Sequence, residues 1–131
     1  MSAVFFTDSA DSTTKMVYSS AERDIYLKAY ESNGSREVSL MGNVCESYFQ
    51  YEKIVVSRDG SMWATYCQNS DSAWLGSTHE SSPTKVKYRD KCQVTDLVWI
   101  DSFNLLVSTD NSEEGHPLFI YKVKPKEYHQ L

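Results

Sequence analysis

The stretch VTDLVWIDSFNLLVS, from Val94 to Ser108, decides the fold because a similar stretch precedes it in the same chain. Forty-three residues upstream the chain reads KIVVSRDGSMWATY, from Lys53 to Tyr66, and at that offset Ile54 falls on Leu97 without a gap. Each copy is an apolar run, a polar corner and a second apolar run. This pattern predicts an internal repeat of two strands joined by a turn.

The rest of the chain divides into similar short strands. Apolar residues alternate with polar ones or form short runs bounded by Ser, Asp, Asn and Gly, and no segment has helical periodicity. Asn33-Gly34 predicts a tight hairpin with positive φ at both residues. The strands group into quartets over residues 3–42, 53–89 and 94–123, within a single domain that spans residues 1–131, and the third group shows three strands of its four.

The chain is therefore predicted to be all-β. Strand quartets that recur every 40 to 45 residues or so are typical of β-propeller blades, each of which is a four-stranded antiparallel sheet. The prediction is about three such blades. An up-and-down β-barrel that closes on itself is the alternative, since many short strands also suit that fold.

Composition narrows the classes of partner. The 131 residues are 40% hydrophobic and 24% charged, with a formal net charge of −5, and neither sign is gathered into a block. Nucleic acid and anionic membranes are therefore not expected as partners. Cys45, Cys67 and Cys92 are odd in number and lack Cys-x-x-Cys spacing, which favours reduced, structural thiols in a cytoplasmic or nuclear protein.

The third quartet carries a family resemblance. Val94 to Trp99, a polar corner, Asn104 to Asp110 and Leu118 to Val123 resemble a WD-repeat unit, although Tyr121-Lys122 stands where such repeats have Trp-Asp. The repeats are thus degenerate, and the resemblance implies a propeller. The residues from Cys45 to Val123 are similar, more narrowly, to the opening blades of the WD-repeat subunits of methylosomes. That resemblance implies a non-catalytic partner of a protein arginine methyltransferase complex.

Catalytic, cofactor and metal sites are not predicted. His79, His116 and His129 are scattered, and no nucleophile elbow, phosphate loop or zinc motif accompanies them. The acidic loop that contains Glu113 and Glu114 fits no calcium-binding spacing, so a solvated loop is the simpler interpretation.

Aromatic residues supply the candidate contact sites. Trp74 lies in a serine-rich segment and Tyr48 in the connection between the first two quartets, and side chains of these two types often anchor protein interfaces. Burial is an equally good expectation for both. The other strand aromatics are predicted to pack between sheets; they are Phe5, Tyr18, Tyr26, Trp63, Trp99, Phe119 and Tyr121.

The expected function is that of a protein-binding scaffold or adaptor. Three open blades would leave apolar faces uncovered, so self-association that closes the propeller is also expected. The alternative, which belongs to the barrel, is a small carrier that holds an apolar ligand inside.

Overall fold

The computed structural model describes residues 2–45, 50–87, 92–110 and 118–124, and the backbone of residues 127–130. These residues form twelve strands and no helix; the strands are β1 (Ala3–Asp8), β2 (Thr13–Ser19), β3 (Ile25–Glu31), β4 (Gly34–Met41), β5 (Tyr51–Val56), β6 (Met62–Cys67), β7 (Ala73–Ser77), β8 (Thr84–Val86), β9 (Val94–Asp101), β10 (Asn104–Thr109), β11 (Leu118–Lys122) and β12 (Glu127–Gln130).

The strands form three separate antiparallel sheets, each of four strands paired in chain order. The first sheet is β1 to β4, the second β5 to β8 and the third β9 to β12. The all-β prediction is confirmed, as are the three groups of strands. The third group gains a strand that the sequence did not indicate, since β12 pairs with β11 after the predicted end at Val123.

None of the three sheets closes into a barrel, so the barrel alternative is wrong for the described part of the chain. Two hydrophobic cores lie between stacked sheets instead. One core joins the first and second sheets and includes Ile25, Leu40 and the fully buried Trp63. The other joins the second and third sheets and includes Leu97 and Phe119. The second sheet therefore contributes one face to each core.

The internal repeat is real but is not gapless. Ile54 and Leu97, which are 43 residues apart, are both buried against the preceding sheet. In the following strands Trp63 pairs with Val56, whereas Leu105 pairs with Trp99, so the corner between β9 and β10 is one residue shorter. Met62 consequently does not correspond to Leu105 as the sequence offset implies.

The hairpin between β3 and β4 also differs in detail from its prediction. Glu31 pairs with Gly34, so Ser32 and Asn33 are the two loop residues. Gly34 has a φ of 138°, whereas Asn33 is not among the positive-φ residues. Asn33 therefore keeps an ordinary backbone conformation, and the unusual φ falls on the one residue without a Cβ.

The corners of all three sheets meet at one end of the stack. Asp59, in the turn between β5 and β6, accepts hydrogen bonds from the hydroxyls of Ser57 and Ser61 at 2.8 and 2.7 Å, and from Ser102 in the corner of the third sheet. Ser9, in the corner of the first sheet, donates its amide to the Asp59 carbonyl at 3.0 Å. Burial favours a higher pKa for Asp59, but the hydroxyl donors outweigh it and lower that pKa.

Candidate functional site

Trp74, the first predicted contact residue, lies on β7. Its indole is half-buried and packs against the core between the first and second sheets. Across the sheet Trp74 pairs with Lys85, whose ammonium lies 5.7 Å from the ring centroid, within range of a cation–π contact. One part of the Trp74 side chain thus packs against the core, and the remainder is exposed to solvent beside the ammonium of Lys85.

A polar groove of about 370 Å³ lies beside Trp74. Its lining includes Gln68, Asn69, Ser72 and Lys85. At its edge Asp71 and Lys87 form an ion pair of 3.1 Å. Burial alone would raise the pKa of Asp71, but hydrogen bonds from Ser72 and Lys87 lower it, so the carboxylate stays ionised.

Tyr48, the second predicted contact residue, lies outside the described residues. His116, Glu113 and Glu114 also lie outside them, and only the backbone of His129 is described. Within the described ranges no group of three or more His, Cys, Asp or Glu side chains is arranged to hold a metal ion. No membrane-spanning helix is found there either.

The cysteines differ from their prediction. Cys45 and Cys67 form a disulfide with a Cα–Cα distance of 5.5 Å, so the expectation that all three thiols are reduced is wrong. The bond links Cys45, in the segment that follows β4, to Cys67, at the end of β6. It therefore fixes the segment that leaves the first sheet to a strand of the second sheet. Cys92 is buried and is not part of the disulfide.

A buried charged cluster, which the sequence did not reveal, joins the first sheet to the loop after β7. The Asp8 carboxylate is fully buried, and its Oδ2 lies 2.6 Å from Lys15 Nζ and 2.6 Å from His79 Nε2. Lys15 also contacts Asp11 at 3.0 Å. Because Asp8 and His79 are 71 residues apart, no local spacing could have indicated the pair.

Burial and hydrogen bonding have opposite effects on the pKa values of Asp8 and Lys15. Burial favours a higher pKa for Asp8, but hydrogen bonds from Lys15, the Ala10 amide and His79 outweigh it and leave that pKa lowered. Burial favours a lower pKa for Lys15, but its hydrogen bonds to Asp8 and Asp11 leave that pKa raised. Both groups are therefore charged near neutral pH. Among these contacts, only the one between Asp8 and His79 joins the first sheet to the loop after β7, whereas Lys15 contacts two carboxylates of its own hairpin.

The outer faces of the stack expose apolar side chains. On the first sheet Phe5 is 65% exposed and Tyr30 38%, and Tyr18 and Tyr26 are only half-buried. The prediction that Phe5, Tyr18 and Tyr26 pack between sheets is therefore wrong, because they lie on the strand face that points away from the second sheet. The prediction holds for Trp63, Phe119 and Tyr121, which are buried, while Trp99 is half-buried at the contact between the second and third sheets.

The third sheet exposes an aliphatic face. Val98 is 47% exposed and Leu118 38%, and their strand neighbours Leu106 and Ile120 are half-buried on the same face. Exposed apolar patches of this kind are typical of surfaces that contact another protein.

Comparison with known proteins gives no matching family model and no significantly similar characterised protein.

Proposed function

We propose that this protein is a non-catalytic protein-binding scaffold whose three sheets are consecutive blades of a WD-repeat-like β-propeller. The observation that carries the proposal is the position of the first strand of each sheet. β1 contacts β5, and β5 contacts β9, so the three first strands lie side by side. In a propeller the first strand of every blade lines the central axis.

The corners at one end of the stack support the same arrangement. The turn that contains Asp59 contacts Ser9 of the first sheet and Ser102 of the third sheet. The hairpins that join the first and second strands of all three sheets therefore converge on one point, as they do around a propeller axis. A stack of unrelated sheets has no reason to bring equivalent corners together.

The proposed contact site is the groove beside Trp74. A large aromatic ring next to Lys85, with the Asp71–Lys87 ion pair at the edge, offers one apolar anchor within a polar rim. That combination is typical of interface hot spots. The proposed partner, on the resemblance to methylosome WD-repeat subunits, is a protein arginine methyltransferase complex.

Binding to a purified arginine methyltransferase complex, measured by interferometry, tests this proposal. Trp74→Ala is expected to weaken binding at least 30-fold, which is the effect of losing an anchor worth ~2 kcal/mol. Phe103→Ala is the matched control, because Phe103 is an exposed aromatic residue in the corner between β9 and β10, and it should leave binding unchanged. The absence of binding would remove the partner from the proposal, and equal effects of the two variants would remove the site.

A further inference from the structure

The three sheets stack with a single polarity. We name the face of a sheet that points toward the next sheet in chain order its forward face, and the opposite face its rear face. The first sheet packs its forward face, with Val17 and Leu27, on the rear face of the second sheet, which carries Ile54 and Trp63. The second sheet packs its forward face, including Leu75, on the rear face of the third.

Residues at equivalent positions of the internal repeat lie on equivalent faces of their sheets. Ile54 and Leu97 occupy the same position in the two repeats, and both lie on rear faces. Their following neighbours Val55 and Val98 both lie on forward faces, but Val55 packs against the third sheet whereas Val98 is exposed. Val98 is thus at a core position of the repeat that no sheet of the described residues covers.

Of the two outer faces of the stack, one is therefore a rear face and the other is a forward face. The first sheet exposes its rear face, where the rings of Phe5 and Tyr30 lie 6.3 Å apart and those of Tyr18 and Tyr26 5.6 Å apart. The third sheet exposes its forward face, with Val98, Leu106, Leu118 and Ile120. Both hydrophobic cores in the described part of the chain join a forward face to a rear face, so these two surfaces are of the types that pack together.

The area is sufficient for a stable contact. Four strands about 4.8 Å apart and roughly six residues long, at ~3.4 Å per residue, give each face about 300–400 Å². If two chains cover each other's ends, four faces are buried, which amounts to roughly 1,200–1,600 Å². Stable protein interfaces of standard size bury a similar total.

We infer that a second copy of this chain covers both faces, with the rear face of each first sheet against the forward face of the partner's third sheet. The inference rests on the blade arrangement of the proposed function. Two copies would form a ring of six sheets, within the usual four to eight of closed propellers. The two contacts would be identical and would close under two-fold symmetry.

The mass of the purified chain in solution, measured by light scattering and sedimentation equilibrium, tests the inference. A dimer of twice 15.0 kDa is expected. Phe5→Lys, on the rear face, and Val98→Glu, on the forward face, should each weaken dimerisation at least 30-fold, since each places a charge in an apolar contact. Glu52→Lys on the second sheet is the control, because Glu52 is exposed and lies on neither face; it should remain dimeric.

Mixing the two variants distinguishes this dimer from others. A mixed pair has one unchanged contact and one in which a lysine meets a glutamate, so the mixture should recover a dimer that neither variant forms alone. Near-UV circular dichroism shows whether each variant keeps the native packing. A monomeric wild-type chain, or a dimer that only one of the two substitutions disrupts, would overturn the inference. Binding to the methyltransferase complex is measured separately, so failure here leaves the proposed contact site intact.

Discussion

The substitution Lys15→Met tests how much the buried charged cluster stabilises the fold. It removes the ammonium that lies 2.6 Å from a carboxylate with no exposed surface. Breaking a buried ion pair by removing one partner costs about 3–5 kcal/mol, because the other charge stays buried and uncompensated. Asp8 keeps the Ala10 amide at 3.0 Å and the His79 ring, so we expect the lower end of this range, about 3 kcal/mol.

Urea unfolding followed by tryptophan fluorescence measures this loss. With a slope of roughly 1.5 kcal/mol per molar urea, the midpoint should fall by about 2 M. Lys53→Met is the matched control, because Lys53 pairs with Asp96 at 2.8 Å while both side chains are nearly half exposed. Such surface pairs contribute about 0–1 kcal/mol, so its midpoint should move by less than ~0.7 M. Equal shifts for the two variants would refute the reasoning.

A double variant and a pH series sharpen the test. Asp8→Asn combined with Lys15→Met should recover most of the loss, since no charge is then buried. The folded pKa of Asp8 lies below 3.8, so its contribution to stability is present above that pH and is lost as pH falls through the folded pKa. The difference between the wild type and Lys15→Met should therefore shrink below about pH 4, and a difference that stays constant into strong acid would contradict the assignment to Asp8.

Two further substitutions test the packing of the second sheet. Replacing Cys45 and Cys67 by Ala should lower the free energy of unfolding by about 3 kcal/mol, the value for a loop of this length. A reductant should destabilise the wild type but not this variant. An unchanged urea midpoint of the wild type in reductant would argue against the disulfide. Gly76→Ala should cost about 1–3 kcal/mol, because its Cβ would lie 3.0–3.2 Å from the buried Trp63 indole. Gly42→Ala is its control, since nothing lies within 4 Å of a Cβ there. Similar urea midpoints for the two glycine variants would contradict the prediction, because they would show that the Trp63 indole moves aside at little cost in free energy.

Strand positions were predictable from the sequence because alternation and turn residues act locally. The offset between Ile54 and Leu97 survives in the structure because both residues face the preceding sheet. It fails one strand later because the corner before Leu105 is a residue shorter, and counting along a sequence does not reveal which of two aligned corners has lost a residue.

Faces and long-range pairs were not predictable in the same way. Phe5 and Phe6 are adjacent and both apolar, so alternation does not indicate which one points to the second sheet; the structure packs Phe6 against the core and exposes Phe5. The Asp8–His79 contact and the Cys45–Cys67 bond depend on how separate sheets stack, which a one-dimensional pattern does not contain. The polar neighbours of Trp74 in the sequence do not reveal that its ring packs against a core, and its role as a contact residue stays a prediction.

The position of the second sheet has a consequence for folding cooperativity. The two cores share no residue, and each takes one face from this sheet. In a linear array of units that touch mainly their neighbours, loss of an end unit removes one contact, whereas loss of the central unit removes two. In a variant that does not dimerise, such as Phe5→Lys, amide hydrogens in β6 should therefore exchange only through global unfolding. Those of the end sheets should also exchange through partial openings in which one sheet detaches and the remaining pair persists.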